Sequence, residues 1–571
     1  MPCPFESVRS RMSRRMSSAA VPAQGKGLGM TDARPRTDLL FYAAVLLYAM
    51  IFLLAPALGP TDDFVFLRTL QSGKPLIYIS ENFPYYDWKG FGRFSPLTSW
   101  EYNIFLLFFA SPAASWYFAI HALQFIIFSL IFAKILTLVP VPKFLAYGTT
   151  FLLILHPAFS ISWFRLQLPE RNVAFFFAIF LIFLIKNDER PRLLTSLLCL
   201  LAANFAIYYK EVAFAPLAAL AISRLVWVGG RRKRGLVILD ILVLASAVLY
   251  LTIYLIFVFP NSHPAVLNHR ENILGEWVRT VLNYGLYSDP LLVFIATPLF
   301  LQRLWTRFFN HKEWHPLYDP MLAGGVSYFS CFVVMNLSTP YYLLPAYIFA
   351  LPASLYFLRT GNLKAGRAWA GLRVLTVAIL LLNTLPAGIH YLTYNKYLPY
   401  NFDSTLNFLG QDLRSRQRDQ KPSIFMEGVD LSGGRGSYFI LAEFLHSRGL
   451  NADIVDLKCN TPTEKPIQVV SKISFPHTVF SSDFPAKIQK GDYLLITPQR
   501  THGAGDERLR ELMKSPEYEA VFSAKGAFDV PNISAKVQWK AFALRFIPTL
   551  RQFAKSEATW ERTDYYVLLK K

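Results

Sequence analysis

Two adjacent carboxylates, Asp62 and Asp63, follow Gly59-Pro60 at the end of the first long apolar run. Carboxylates this close resist simultaneous ionisation, which strengthens one of them as a base. Such a base takes a proton from an attacking hydroxyl. The pair is equally a ligand set for a divalent metal ion, or an N-cap for a following helix. In the same loop, Gly92-Arg93-Phe94-Ser95-Pro96-Leu97 sets an arginine after the aromatic stretch Phe83 to Phe91. A guanidinium there suits a phosphate, or it snorkels at a membrane surface.

Four more polar groups punctuate apolar sequence: Glu170-Arg171-Asn172, Tyr208-Tyr209-Lys210-Glu211, His269-Arg270-Glu271 and Thr339-Pro340-Tyr341-Tyr342. Lys210 and Glu211 also read as an ordinary helix end, and the tyrosines as interfacial anchors. Ionisable groups at membrane depth are expensive and usually paired or functional.

The elements that position these residues are membrane helices. Of 571 residues 53% are hydrophobic and 17% charged, against about 25% charged in a soluble protein. Runs long enough to cross a bilayer, which takes about 20 apolar residues, are expected at 39–59, 114–138, 144–160, 171–186, 193–209, 212–229, 236–259, 287–304, 317–336, 341–358 and 370–392. Residues 101–112 are too short and broken to cross, and are expected at the interface. The net charge of +20 does not indicate nucleic acid, because it is clustered between apolar runs. Arg9 to Arg36 precede the first, and Arg231 to Arg234 separate the sixth from the seventh. This is the positive-inside pattern, and eleven crossings put every strong basic cluster in the cytoplasm.

The expected organisation is a basic cytoplasmic tail over 1–37, a membrane domain over 38–395 and an extracytoplasmic α/β domain over 396–571, all in the cell (inner) membrane. Met30 is an alternative start. In the last domain, strands are expected at 423–426, 452–456, 493–496 and 565–569, with a helix over 438–446. Gly433-Gly434-Arg435-Gly436 does not match the dinucleotide fingerprint. Of Cys3, Cys199, Cys331 and Cys459 only the last falls in this domain, so no disulfide framework is available, and no metal-type Cys/His spacing occurs.

On this topology every polar group named above falls in a loop on one face, the outer one. Acids that can activate a hydroxyl then lie with cations that can hold a phosphate. In order and sidedness the Asp62-Asp63 pair, the 92–97 element, Lys210-Glu211 after the fifth run and Tyr342-Leu343-Leu344-Pro345 resemble the GT-C membrane glycosyltransferases. That class includes the protein O-mannosyltransferases, the lipid A aminoarabinose transferases and bacterial polyprenyl-phosphate-sugar transferases. The resemblance covers residues 40–390. It implies a GT-C-like polytopic helical fold, a polyprenyl-phosphate-linked sugar donor and an inverting displacement onto an envelope glycan, lipid or protein. It implies that Asp62 is the acceptor-activating base and that Asp63 supports it or holds a divalent metal. Arg93, Lys210 and Arg270 are the phosphate candidates, with Glu170, Arg171, Glu211, Tyr341 and Tyr342 in support. Two departures stand out: Asp-Asp where many relatives have Asp-Glu, and Pro340 where relatives often have Arg. A lipid-linked sugar flippase, or a polymerase using diphosphate donors, would also need polar groups on this face.

Overall fold

The computed structural model describes residues 34–60, 63, 66–67, 94–108, 114–226, 234–261, 273–285, 289–309, 314–360, 366–415, 421–427, 440–450, 453–458, 487–498, 504–526 and 563–571. The chain falls into two units, Met1–Leu47 and Tyr48–Lys571. In the first, the described residues are the opening turns of helix α1 (Arg34–Leu53), where Leu39, Leu46 and Leu47 are exposed. The second unit holds the remaining elements.

Its helices are α2 (Ala114–Thr137), α3 (Lys143–Ile154), α4 (Pro157–Phe164), α5 (Glu170–Glu189), α6 (Leu193–Tyr209), α7 (Phe214–Val226), α8 (Arg234–Ile253), α9 (Ile273–Asn283), α10 (Thr297–Phe308), α11 (Tyr318–Val334), α12 (Leu344–Thr360), α13 (Gly366–Ile379) and α14 (Leu385–Ser415). Among the described residues, four helical stretches are long and apolar enough to cross a membrane, or five if the bent pair α3–α4 is one span. Many apolar side chains stay exposed, among them Leu123, Leu201, Leu242, Leu249 and Ile256. Exposed apolar surface on this scale fits a lipid environment. The protein is a multi-pass helical membrane protein.

Several runs depart from the expected single crossings, each for a local reason. The run expected over 144–160 is two helices bent by 59°. Pro157 has no N–H to continue α3 and is well placed in the first turn of a new helix. His156 caps that turn, its Nδ1 accepting from the Ala158 N–H at 3.1 Å. Its Nε2 lies 3.9 Å from Asp289, and both groups are buried. At Gly388, α14 passes so close to this break that a Cβ would fall 1.3 Å from the Leu155 carbonyl oxygen. The interfacial segment is a 3₁₀ helix over Trp100–Leu107. Helix α9 lies in a stretch expected as loop.

The last expected run does not stop at the membrane. Through a π-helical segment α13 leads into α14, which continues to Ser415 with Pro399 inside it. Beyond it, β1 (Ser423–Met426), β2 (Asp456–Lys458), β3 (Tyr493–Ile496), β4 (Tyr518–Ala524) and β5 (Tyr565–Lys570) form one mixed sheet in the order β2-β1-β3-β5-β4. β1 pairs parallel with β2 and β3, and β5 antiparallel with β3 and β4. The second strand starts at Asp456, where the sequence suggested an end, and β4 was not expected. Helix α15 (440–446) covers one face, and helix α16 (Ala504–Lys514) serves the other through Leu509 and Leu512.

One apolar core joins these parts. It runs from Leu58, Phe66 and Tyr102 through Phe402 and Leu409 of α14 to Ile424 in the sheet. The sheet is thereby packed continuously with the residues around Asp63 and Tyr102.

Candidate functional site

Helix α5 starts at Glu170 because Pro169 ends the preceding loop, and Glu170 sits in the first turn, where a carboxylate complements the helix dipole. Helix α6 ends at Tyr209 because Lys210 is extended (φ −153°, ψ 131°), after which Glu211–Ala213 form one 3₁₀ turn into α7. A lysine here complements the C-terminal dipole of α6. The two helices pack along each other, and this brings their ends together. Lys210 Nζ lies 3.2 Å from Glu170 Oε1, 3.8 Å from Glu211 Oε1 and 5.3 Å from the centre of the Tyr342 ring. Tyr341 is within electrostatic reach of Glu170 and Arg165.

Glu170 is fully buried, yet neither of its oxygens accepts a hydrogen bond of good geometry. Leaving a buried carboxylate under-satisfied costs free energy unless another group completes it. A second network adjoins the first through Arg171. Glu101 accepts from Arg171, from Asn172 Nδ2 at 2.6 Å and from the Tyr209 hydroxyl at 3.1 Å. Arg171 Nη1 donates to the Tyr102 oxygen at 3.0 Å. Tyr102 also meets His121 Nε2 at 2.5 Å, and His121 Nδ1 faces the Trp163 carbonyl at 2.6 Å. A carbonyl only accepts, so Nδ1 carries the proton, and the single Tyr102 hydroxyl proton faces two acceptors, His121 Nε2 and the Leu166 carbonyl at 2.9 Å. Burial pushes the Tyr102 hydroxyl well above its usual range, so it stays neutral.

The structure brings together six of the ten site residues expected from sequence: Glu170, Arg171, Lys210, Glu211, Tyr341 and Tyr342. Asp63 is buried, and its Oδ2 accepts the Gly59 N–H at 2.7 Å. It is within electrostatic reach of Tyr102, and Phe66 three residues on stacks edge-on against the Tyr102 ring at 5.1 Å. Asp62, Arg93 and Arg270 lie outside the described residues. Among the described residues no group of three or more metal-ligating side chains gathers, and Asp62, the partner expected for Asp63 at a metal, lies outside them.

The 92–97 element is anchored at its described end. The Leu97 N–H donates to the Tyr208 carbonyl at 3.2 Å, Thr98 Oγ1 to that of Tyr209 at 3.0 Å and the Tyr250 hydroxyl to that of Phe94 at 2.5 Å. Leu97 and Thr98 are thus tied to the end of α6 that carries Lys210, and Phe94 to α8.

Glu101 is the residue that sequence reasoning missed. Its signal was a lone carboxylate in an otherwise apolar interfacial segment. Chemically the site offers carboxylates to take a proton, a buried ammonium with three donors and an arginine-ordered tyrosine, near Asp63.

No family model and no curated protein matches the sequence. Among solved structures the chain is similar to an oligosaccharyltransferase from Archaeoglobus fulgidus tethered to an acceptor peptide containing the NVT sequon, with 12% identity and a TM-score of 0.38 over 71% of this chain. That match spans 63% of the other chain, under two thirds of its length. The chain is also similar to the archaeal oligosaccharyltransferase AglB from Archaeoglobus fulgidus in complex with an inhibitory peptide and a dolichol-phosphate, with 11% identity and a TM-score of 0.41 over 93% of this chain and 89% of that one. At these scores neither match carries an argument about chemistry, which rests on the residues above.

Proposed function

We propose that this protein is a membrane glycosyltransferase that moves a sugar from a polyprenyl-phosphate donor to an extracytoplasmic acceptor. The observation that carries the reading is the meeting of Glu170, Lys210, Glu211 and Tyr342 at one end of the bundle, joined through Arg171 and Tyr102 to the buried Asp63. The acceptor hydroxyl oxygen attacks the anomeric carbon, and the carbon–oxygen bond to phosphate breaks with inversion. The electron pair leaves on the phosphate, and the hydroxyl proton passes to Asp62. Lys210, with Arg93 and Arg270, stabilises the charge growing on the phosphate. Glu170 and Glu211 hold the Lys210 ammonium in place until that charge appears. Eleven crossings, with the Lys210 end and residues 396–571 outside, belong to the same proposal. So does any metal, which Asp62 and Asp63 would share.

The test uses inserted protein in liposomes supplied with a radiolabelled polyprenyl-phosphate sugar and an envelope extract as acceptor. Transfer by wild type with loss in Asp62→Asn is expected. Undiminished transfer by correctly inserted Asp62→Asn removes the base. Translocation of the lipid-linked sugar with no new glycosidic bond makes the protein a flippase instead, and transfer only from diphosphate donors makes it a polymerase.

A further inference from the structure

Away from the Lys210 cluster, an apolar cavity of about 470 Å³ lies between α3, α12, α13 and the π-helical segment over Leu292–Ala296. Its volume is in the range of ligand pockets, ~300–1,000 Å³. On α3 it runs from Phe144 to His156 and on α12 from Tyr347 to Arg359. Twelve helical residues span about 18 Å, which is close to the ~15 Å of hydrocarbon in one leaflet. A groove of that length fits one acyl chain of one leaflet and is short for a polyprenyl tail.

Its two ends differ. Arg359 and Arg373 line the end at the start of α3. Arg359 is exposed, and Arg373 is braced by its Nε donating to the Leu358 carbonyl at 2.9 Å. The far end is closed by His156 and by Tyr347, whose buried hydroxyl has no hydrogen-bond partner. Between the ends, Gly148 opens onto the groove: a Cβ there would meet nothing within 4 Å.

We propose that this groove binds one acyl chain of an anionic phospholipid, drawn from the leaflet at the Arg359–Arg373 end with its phosphate against the two arginines. Lys210 stands at the outer end of α6, so the lipid head group lies at the opposite end of the bundle from the candidate reaction site. The bound chain fills the space beside the α3–α4 break and supports α13 just before Gly388 locks α14 against that break.

The test is made on the full chain, purified and placed in nanodiscs of phosphatidylcholine and phosphatidylglycerol in equal amounts. Lipids retained after mild delipidation are counted by native mass spectrometry. Wild type should retain phosphatidylglycerol about tenfold over phosphatidylcholine, from two arginines at the membrane surface. Arg359→Ala with Arg373→Ala should bring the ratio to unity, and Gly148→Phe should lower retention of both lipids while the fold persists. Should the double variant fail to fold, the exposed Arg359→Ala alone should still lower the ratio. Equal retention by wild type, a preference that survives the arginine substitutions, or retention unchanged in Gly148→Phe overturns the proposal. Displacement of the phosphatidylglycerol by added polyprenyl phosphate also overturns it, because the groove then belongs to an isoprenoid.

Discussion

The two ends of α5 hold charge clusters of the same composition and opposite character. Eighteen residues separate Glu170 from Asp188, about 27 Å of helix, close to the hydrocarbon thickness of a bilayer. At the Asp188 end, Arg224 donates to Asp188 through both Nη atoms at 2.8 and 2.6 Å, and to Asp240 through Nε at 3.0 Å. Beside it Arg303 holds Asp319 with two bonds of 2.7 Å, while Asp319 also accepts the His315 N–H at 2.6 Å. The Glu170 end likewise has three carboxylates and two cations, Glu101, Glu170, Glu211, Arg171 and Lys210, but there Glu170 accepts no good hydrogen bond. Counting charges does not separate the two ends; hydrogen-bond satisfaction does. A bidentate, fully used arginine fixes geometry and has nothing left for a ligand. A buried carboxylate held only by an ammonium keeps acceptor capacity for something else.

The comparison breaks if the ends fail to dissociate stability from activity. Arg224→Ala strands two carboxylates and should cost about 3–5 kcal/mol, read as lost folded yield and a lowered thermal midpoint. Transfer per folded molecule should be unchanged. Lys210→Ala should cut transfer by about 10²–10³, as loss of one charge-stabilising donor does, and radiolabel incorporation at matched protein levels checks it. Glu170→Gln should lower transfer while leaving stability, read from the thermal midpoint, within about 1 kcal/mol of wild type, because it removes an under-satisfied charge at constant volume. A collapse of stability in Glu170→Gln would make the Lys210 end another staple. Gly388→Ala touches neither cluster but drives a methyl into the Leu155 carbonyl, and should cost about 1–3 kcal/mol or more, again read from the thermal midpoint.

The smallest effect is a pH dependence at the staple end. Burial, aided by Arg303 and opposed by Asp319, holds His315 below its usual 6.5. The folded state therefore resists protonation that the unfolded chain accepts, so this contribution is complete above pH 6.5 and declines as the pH falls below it. His315→Asn should flatten that part of the stability profile.

The sites that were legible in the sequence are those whose partners are local or whose place in a loop gives them away. Lys210 and Glu211 end one helical run and begin the next, and Glu170 and Arg171 open another. Glu101 was not legible as a site residue, because its partners Arg171, Asn172 and Tyr209 are 70 or more residues away and only the packing of α5 and α6 delivers them. The break at His156 was signalled by Pro157 but hidden within a continuous apolar run. β4 was missed because its residues are largely exposed on an edge strand, without the apolar run that marked β1, β3 and β5.

By itself the sequence determined that this chain lives in a membrane, where its apolar runs lie and which ionisable residues stand near their ends. Hydropathy and charge are written residue by residue, and a bilayer reads them locally. Tertiary structure alone decided which of those charges are spent on one another. Arg224 and Lys210 look alike as cations near helix ends. Two aspartates and the Pro316 carbonyl take up the first through Nε and both Nη atoms, while the second faces a buried glutamate with acceptor capacity left over. Residues distant in sequence settle that difference, through the geometry of a hydrogen bond.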